Sequence, residues 1–289
     1  MDMFIELLST HVFLYLITIA LFSLLVGSLL NVVIYRLPKM LESSWAEECR
    51  VYLGLKTHDK LEKLNLFLPL SHCPQCKKTI KPWHNIPLLS YLWLRGKCAN
   101  CKSAIPLRYP FVEAITCLAS VYVAWRLGFN WEAVGALTFT WILIALTFID
   151  LDHHLLPDPL TLLLLWLGLF LSLFSLFCNS HDAIIGAIAG YLIFALTQWV
   201  FYLATHKIGL GQGDFKLLAA LGAFLGWQML PLIILLASLT GLIFALTHMM
   251  IKQQFKSVPF AFGPYLAIAG WVALLWGNEI LQYYLYAIK

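Results

Sequence analysis

The stretch VFLYLITIALFSLLVGSLLNVVIY, residues 12–35, contains no charged side chain. A helix needs about 20 apolar residues to cross a hydrocarbon core roughly 30 Å thick, so this stretch reads as a bilayer-spanning helix. Asp2 and Glu6 precede it, and Arg36 and Lys39 follow. That charge order is the reverse of a secretory signal peptide, and the block outruns the about 7–15 residues of a signal core. The reading is a retained helix with its N-terminus outside.

Outward from this block the composition agrees. The 289 residues are 61% hydrophobic and 12% charged, with mean hydropathy +0.81, against roughly 45–50% and about 25% in soluble domains. A water-soluble globule is excluded. Thirteen of the 19 Lys and Arg residues fall between Arg36 and Arg108. In a polytopic chain this bias marks a cytoplasmic segment rather than a nucleic-acid surface.

Further apolar spans are expected at 111–125, 131–149, 160–177, 183–203, 215–227, 230–251 and 260–284, making eight with the first. The fold class expected is an all-α polytopic membrane protein of about eight helices. With the basic segment inside, Lys207, Lys216, Lys252 and Lys256 also fall inside, and Arg126 and Lys289 outside. The spans 111–125 and 215–227 are short: either they extend further or they thin the bilayer locally. The expected division is a first helix at 1–35, a cytoplasmic segment at 36–110 and a seven-helix membrane core at 111–289. Residues 41–70 are mixed in charge and expected to be helical in part, and no repeat stands out.

The basic segment carries Cys73-Pro-Gln-Cys76 and Cys98-Ala-Asn-Cys101. Two Cys-x-x-Cys knuckles supply the four thiolates of a tetrahedral zinc shell. A reducing cytoplasm disfavours two disulfides, and a single redox dithiol needs no matched partner. With all four positions filled by thiolates, the metal would staple the segment and leave no place for a catalytic water. Cys49, Cys117 and Cys178 read as small buried hydrophobes.

Carboxylates at the membrane are costly and therefore functional candidates. Asp150, Asp152 and Asp158 follow one span, and Asp214 opens another on the same side, after Gly209-Leu-Gly211-Gln-Gly213. Two acids from different helices can share one proton and run peptide hydrolysis, one as base on water and the other as acid. The glycines would leave room for a substrate strand, whereas their spacing does not match a phosphate loop. Competing structural roles exist: Asp214 as N-cap of a helix starting at Phe215, Asp158 as a cap or solvated loop residue, His153 and His154 as polar loop residues. These arguments do not separate Asp150 from Asp152.

At these residues the chain resembles the type IV prepilin peptidases, Gly-x-Gly-Asp aspartyl proteases of the bacterial inner membrane. The resemblance covers nearly the whole chain. It runs through Gly27-Ser28 to Leu37-Pro38, the double knuckle, Arg95-Gly96-Lys97-Cys98, Arg108-Tyr109-Pro110-Phe111-Val112-Glu113, the Asp150 stretch, Gly211-Gln212-Gly213-Asp214-Phe215-Lys216-Leu217, and Phe262-Gly263-Pro264-Tyr265-Leu266. It implies catalytic Asp150 and Asp214, with prepilins and pseudopilins as substrates cut after a glycine. It further implies N-methylation from S-adenosylmethionine, with Gly96 at the position tied to methyl transfer. The N-terminus would be periplasmic and the active site at the cytoplasmic side, with lipid the other partner and no nucleic acid. A peptidase without methylation, a proton-coupled transporter and a zinc-dependent assembly protein without catalysis are the alternatives; the transporter predicts an inverted repeat, which is not found.

Overall fold

The computed structural model describes residues 10–55, 65–68, 70–252 and 261–287. Asp2, Glu6, Lys256, Phe260, Lys289 and part of the 41–70 segment lie outside the described residues. The chain divides into two compact units, Met1–Phe129 and Asn130–Lys289.

In the first unit, α1 (Val12–Tyr52) runs for 41 residues, about 60 Å at 1.5 Å per residue. That is about twice the hydrocarbon thickness, so the helix continues out of its apolar stretch into the basic segment. It passes through Pro38 without ending, although proline removes a helical hydrogen bond there. A five-residue helix, α2 (Leu89–Trp93), precedes α3 (Arg108–Leu127), which packs along α1. The packing is close because Gly27 has no side chain: a Cβ there would meet Glu113 Cα at 2.8 Å. Asn31 Nδ2 donates to the Tyr109 carbonyl at 3.1 Å, and Tyr15 Oη to Gly128 at 3.1 Å. Small and polar residues at a helix pair let backbones approach inside a membrane.

The second unit contains α4 (Trp131–His153), α5 (Asp158–Ser172), α6 (Ser180–Thr205), α7 (Gln212–Leu225), α8 (Leu230–Lys252) and α9 (Gly263–Ala287). α7 is its core: Leu217 to Leu225 are buried without a break, and α5 and α6 pack on it. Gly168 faces the α7 backbone, where a Cβ would come 2.8 Å from Phe224 N, and Gly190 would meet Leu218 O at 2.6 Å.

Among the described residues, five helices are long and apolar enough to cross a membrane: Val12–Tyr52, Arg108–Leu127, Trp131–His153, Ser180–Thr205 and Trp227–Ile251. Several of the expected spans are therefore present. α5 ends at Ser172 rather than Phe177 and has 15 residues; α9 has 25 residues and is not among the five. The two short spans differ in outcome. The span 111–125 is the middle of a 20-residue helix, whereas α7 has only 14 residues. Enclosed by protein, α7 has no need to match the lipid thickness itself.

Of the cysteines expected to be buried, Cys49 is exposed and Cys117 and Cys178 are half-buried. Cys49 lies on the part of α1 beyond Pro38, where nothing apolar covers it.

Candidate active site and metal centre

Asp150 sits in the last turn of α4. His154, at φ 50 in the left-handed region, closes that helix and donates its N–H to the Asp150 carbonyl at 2.9 Å. Asp150 is 5% exposed, while Asp152, His153 and His154 face outward. Burial therefore separates Asp150 from Asp152, which sequence reasoning left undecided.

Asp214 is 8% exposed. The competing role of N-cap falls to another residue: α7 begins at Gln212, Gly211 is the N-cap, and Asp214 is the third helical residue. Its N–H donates to the Gly211 carbonyl at 3.1 Å, and its carboxylate reaches back to the Gly211 backbone. This reciprocal contact has the logic of a capping box.

Gly263, first residue of α9, donates its N–H to Asp150 Oδ2 at 3.0 Å. The first N–H groups of a helix have no partner within it and carry the positive end of its dipole, so this donor offsets part of the cost of a buried carboxylate. A Cβ on Gly263 would stand 2.6 Å from that oxygen. Leu156 fills the space between the two helix starts. A Cβ on Gly213 would come 2.7 Å from its Cβ, and one on Gly263 3.0 Å from its Cδ2. The end of α4 and the beginnings of α7 and α9 thus converge on the two acids.

Asp158 is not the cap: Pro157 takes the N-cap position, and Asp158, exposed to solvent, holds Lys216 Nζ at 2.6 and 2.8 Å through its two oxygens. The cation two residues after Asp214 is thereby drawn to a different carboxylate. Sequence reasoning missed Gly263 as a functional residue. Its signal was the Gly-Pro pair at a helix start, where proline needs no N–H partner and the preceding N–H is left to point at a ligand.

In the first unit, the sulfur atoms of Cys73, Cys76, Cys98 and Cys101 all lie within 4.8 Å of one another. Among the described residues no other group of three or more His, Cys, Asp or Glu is so disposed. Cys73 Sγ and Cys101 Sγ are 3.8 Å apart, the edge of a tetrahedron with metal–sulfur bonds of about 2.3 Å. The knuckles are a local repeat. Lys77 N–H donates to Cys73 O and Lys102 N–H to Cys98 O; Ile80 N–H donates to Ser71 O and Ile105 N–H to Gly96 O. Lys77 and Lys102 both adopt positive φ, 59 and 60. The N–H groups of Cys76 and Gln75 pull the Cys73 thiol down to about 6 and the Ser103 hydroxyl lowers Cys101, while burial and the neighbouring sulfurs push Cys76 up to about 11. Thiolates are the form a metal takes.

Gly96 has φ +68, and a Cβ there would meet Tyr91 Oη at 2.8 Å. Its N–H donates to Tyr91 O at 2.9 Å and its carbonyl accepts from Ile105 at 2.7 Å. Both backbone polar groups are occupied within the knuckle.

Two family models match: "Bacterial Peptidase A24 N-terminal domain" over residues 21–127, and "Type IV leader peptidase family" over residues 137–246. The chain is 52% identical over 281 residues to the Prepilin leader peptidase/N-methyltransferase of Pseudomonas aeruginosa, covering 97% of each chain. It is 52% identical to the protein of that name from Aeromonas salmonicida over 290 residues, 100% of each chain. With the Neisseria gonorrhoeae protein of that name it shares 47% identity over 254 residues, 88% of this chain and 87% of that one. No solved structure matches. Matches along almost the entire length, at about half identity and with both halves of the chain recognised, admit one assignment: this chain belongs to the type IV leader peptidase family.

Proposed function

We propose that the chain is a bifunctional prepilin peptidase and N-methyltransferase whose proteolytic pair is Asp150 and Asp214. The observation that carries this reading is the convergence of two buried carboxylates at three helix ends around Leu156, one of them held by the Gly263 N–H.

Like charges at close range do not both ionise readily, so the pair shares a proton. With Oδ2 of Asp150 engaged by Gly263, its other oxygen is left to meet the water. One carboxylate takes a proton from that water as its oxygen attacks the scissile carbonyl carbon. The protonated partner gives its proton to the carbonyl oxygen. Collapse of the tetrahedral intermediate breaks the C–N bond, the leaving amine receives a proton, and the pair ends with one shared proton as it began. The substrates are prepilins and secretion pseudopilins, cut after a glycine.

Zinc is the metal proposed for Cys73, Cys76, Cys98 and Cys101, supplying a crosslink between the two knuckles. S-adenosylmethionine, when bound, supplies an electrophilic methyl group. The chain's part is to present the new amino terminus deprotonated and in line with it. Gly96 acts here through the shape of the turn, since its N–H and carbonyl are already engaged. In this reading residues 36–110 serve methyl transfer on the cytoplasmic side of a bacterial inner membrane, the N-terminus is periplasmic, and the helices from 111 onward form the protease.

The test is incubation of purified protein with a prepilin and S-adenosylmethionine in detergent. Wild type shortens the substrate and adds one methyl group to its new N-terminus, and Asp150→Ala and Asp214→Ala, still folded, do neither. Substantial cleavage by either variant removes that residue from the pair, and an uncut substrate with wild type leaves a transporter or scaffold.

A further inference from the structure

The segment between α1 and α3 contains a helix turned inside out. Residues three and four apart share one helix face, and on α2 that face is Leu89, Leu92 and Trp93, which are 64%, 71% and 78% exposed. The polar Ser90 on the same five-residue helix is buried at 8%. Just before it, Trp83 is 54% exposed, with Lys81 Nζ 5.5 Å from its ring centroid.

The outward apolar face is held by built contacts. Leu89 N–H donates to the Pro87 carbonyl at 2.6 Å around Leu88, at φ 56 and ψ −48. This is the strained form of the γ-turn, rare for a residue with a side chain. The Leu88 N–H is fixed by the buried Glu113 Oε2 at 2.9 Å. On the other side, Tyr91 packs on Gly96 and its carbonyl accepts the Gly96 N–H. Strain kept in place by a buried carboxylate marks a segment whose orientation matters.

Charge identifies what covers this face. From Asn65 to Val112 the chain has seven Lys and Arg residues and no Asp or Glu. Even four thiolates around one divalent ion leave the segment positive. Aromatic and leucine side chains on one face, framed by Lys and Arg, are the composition of an element lying in a membrane interface. The bilayer surface is within reach, because α3 starts at Arg108, fifteen residues after Trp93, at most about 50 Å of extended chain.

We infer that residues 82–95 form a surface anchor that lays Leu89, Leu92 and Trp93 into the interface of an anionic bilayer, with Lys81, Arg95 and Lys97 at the headgroups. The anchor fixes the depth of the cysteine knuckles that adjoin it. It rests on the membrane assignment and not on either catalytic role.

The full-length protein is placed one copy per nanodisc, in phosphatidylethanolamine and phosphatidylglycerol whose acyl chains carry bromine just below the headgroups. The emission of Trp93 is taken as the difference between wild type and Trp93→Phe. Most of that emission is quenched by the shallow bromines, less is quenched by bromines near the chain ends, and replacing phosphatidylglycerol by phosphatidylcholine restores part of it. A second measurement does not depend on Trp93: Leu89→Ser/Leu92→Ser raises amide exchange across residues 82–97 in nanodiscs and leaves it unchanged in detergent. Emission indifferent to bromine overturns the inference. So does quenching indifferent to lipid charge, or protection that arises only with added prepilin or with two copies per disc, outcomes that assign the face to substrate or to a second chain.

Discussion

The Gly263→Ala variant isolates the contact that orients Asp150. The substitution is backbone-compatible, because Gly263 opens a helix and is not among the positive-φ glycines. Its new methyl would stand 2.6 Å from Asp150 Oδ2 and 3.0 Å from Leu156 Cδ2. Ordinary contact begins near 3.4 Å, so the oxygen must retreat by about 0.8 Å, and the hydrogen bond that is 3.0 Å long is stretched or lost. A displacement of about 1 Å at a reacting group costs roughly 100-fold in rate. Loss of a hydrogen bond to a charged group, worth about 1.5–3 kcal/mol, gives a similar figure. The expectation is that kcat for leader cleavage falls about 100-fold. KM for prepilin and methylation of a pre-cleaved substrate stay near wild type, and the melting temperature falls by only a few degrees. The assay is a cleavage time course in detergent beside a melting curve. Wild-type kcat in folded Gly263→Ala would refute the view that this N–H sets the position of Asp150. A variant that melts far below wild type would show the contact to be structural.

Three further outcomes follow from the first unit. The purified protein carries about one equivalent of zinc, and replacing Cys73, Cys76, Cys98 and Cys101 by serine removes it; metal content unchanged by those replacements rejects the site. Gly96→Glu, which forces a side chain onto a φ of +68 and against Tyr91, cleaves prepilin but leaves the product unmethylated, a difference of one methyl group by mass spectrometry; normal methylation removes Gly96 from that role, and loss of both activities in a folded protein ends the division of labour. Glu113→Ala, which leaves the Leu88 N–H without its 2.9 Å partner, speeds limited proteolysis between Ile86 and Leu92 by about 10-fold or more, while Glu113→Gln, retaining an acceptor, restores most of the resistance.

What the sequence revealed, and what it concealed, divides along physical lines. Membrane insertion was legible because burying apolar side chains in lipid needs only composition and length. The cysteine cluster was legible because metal ligands must be particular residue types at short spacings. Asp150 could not be told from Asp152, since burial depends on where α4 ends, and that is set by His154 adopting positive φ. A cap role for Asp214 stayed open as a competitor because the glycines before it read as loop, yet Gln212 and Gly213 are already helical. Gly263 was hidden for a deeper reason: its contribution is a backbone N–H, which almost every residue owns, so only the helix start that aims it makes it functional. That α7 is sheathed by protein was hidden, for hydropathy reports an apolar surrounding without telling lipid from protein.

Both acids stand at helix ends rather than on free loops, and this has a chemical consequence. A proton can pass between carboxylates and water only if their separation holds to a fraction of an ångström, and rigid elements keep such a distance better than loops do. The cost of using helix ends is crowding, since each first turn brings its own side chains to the meeting point. Glycine resolves it at each approach: Gly211, whose Cβ would stand 3.3 Å from Asp214 Oδ2, Gly213, which would strike Leu156 at 2.7 Å, and Gly263, which would strike Asp150 at 2.6 Å. None of the three has positive φ, so backbone freedom is not what they supply. They supply absence of volume beside the acids, and the Gly-x-Gly-Asp spacing follows from it. Gly211 clears one side of Asp214, Gly213 makes room for Leu156, and a third glycine, on another helix, clears the approach to Asp150.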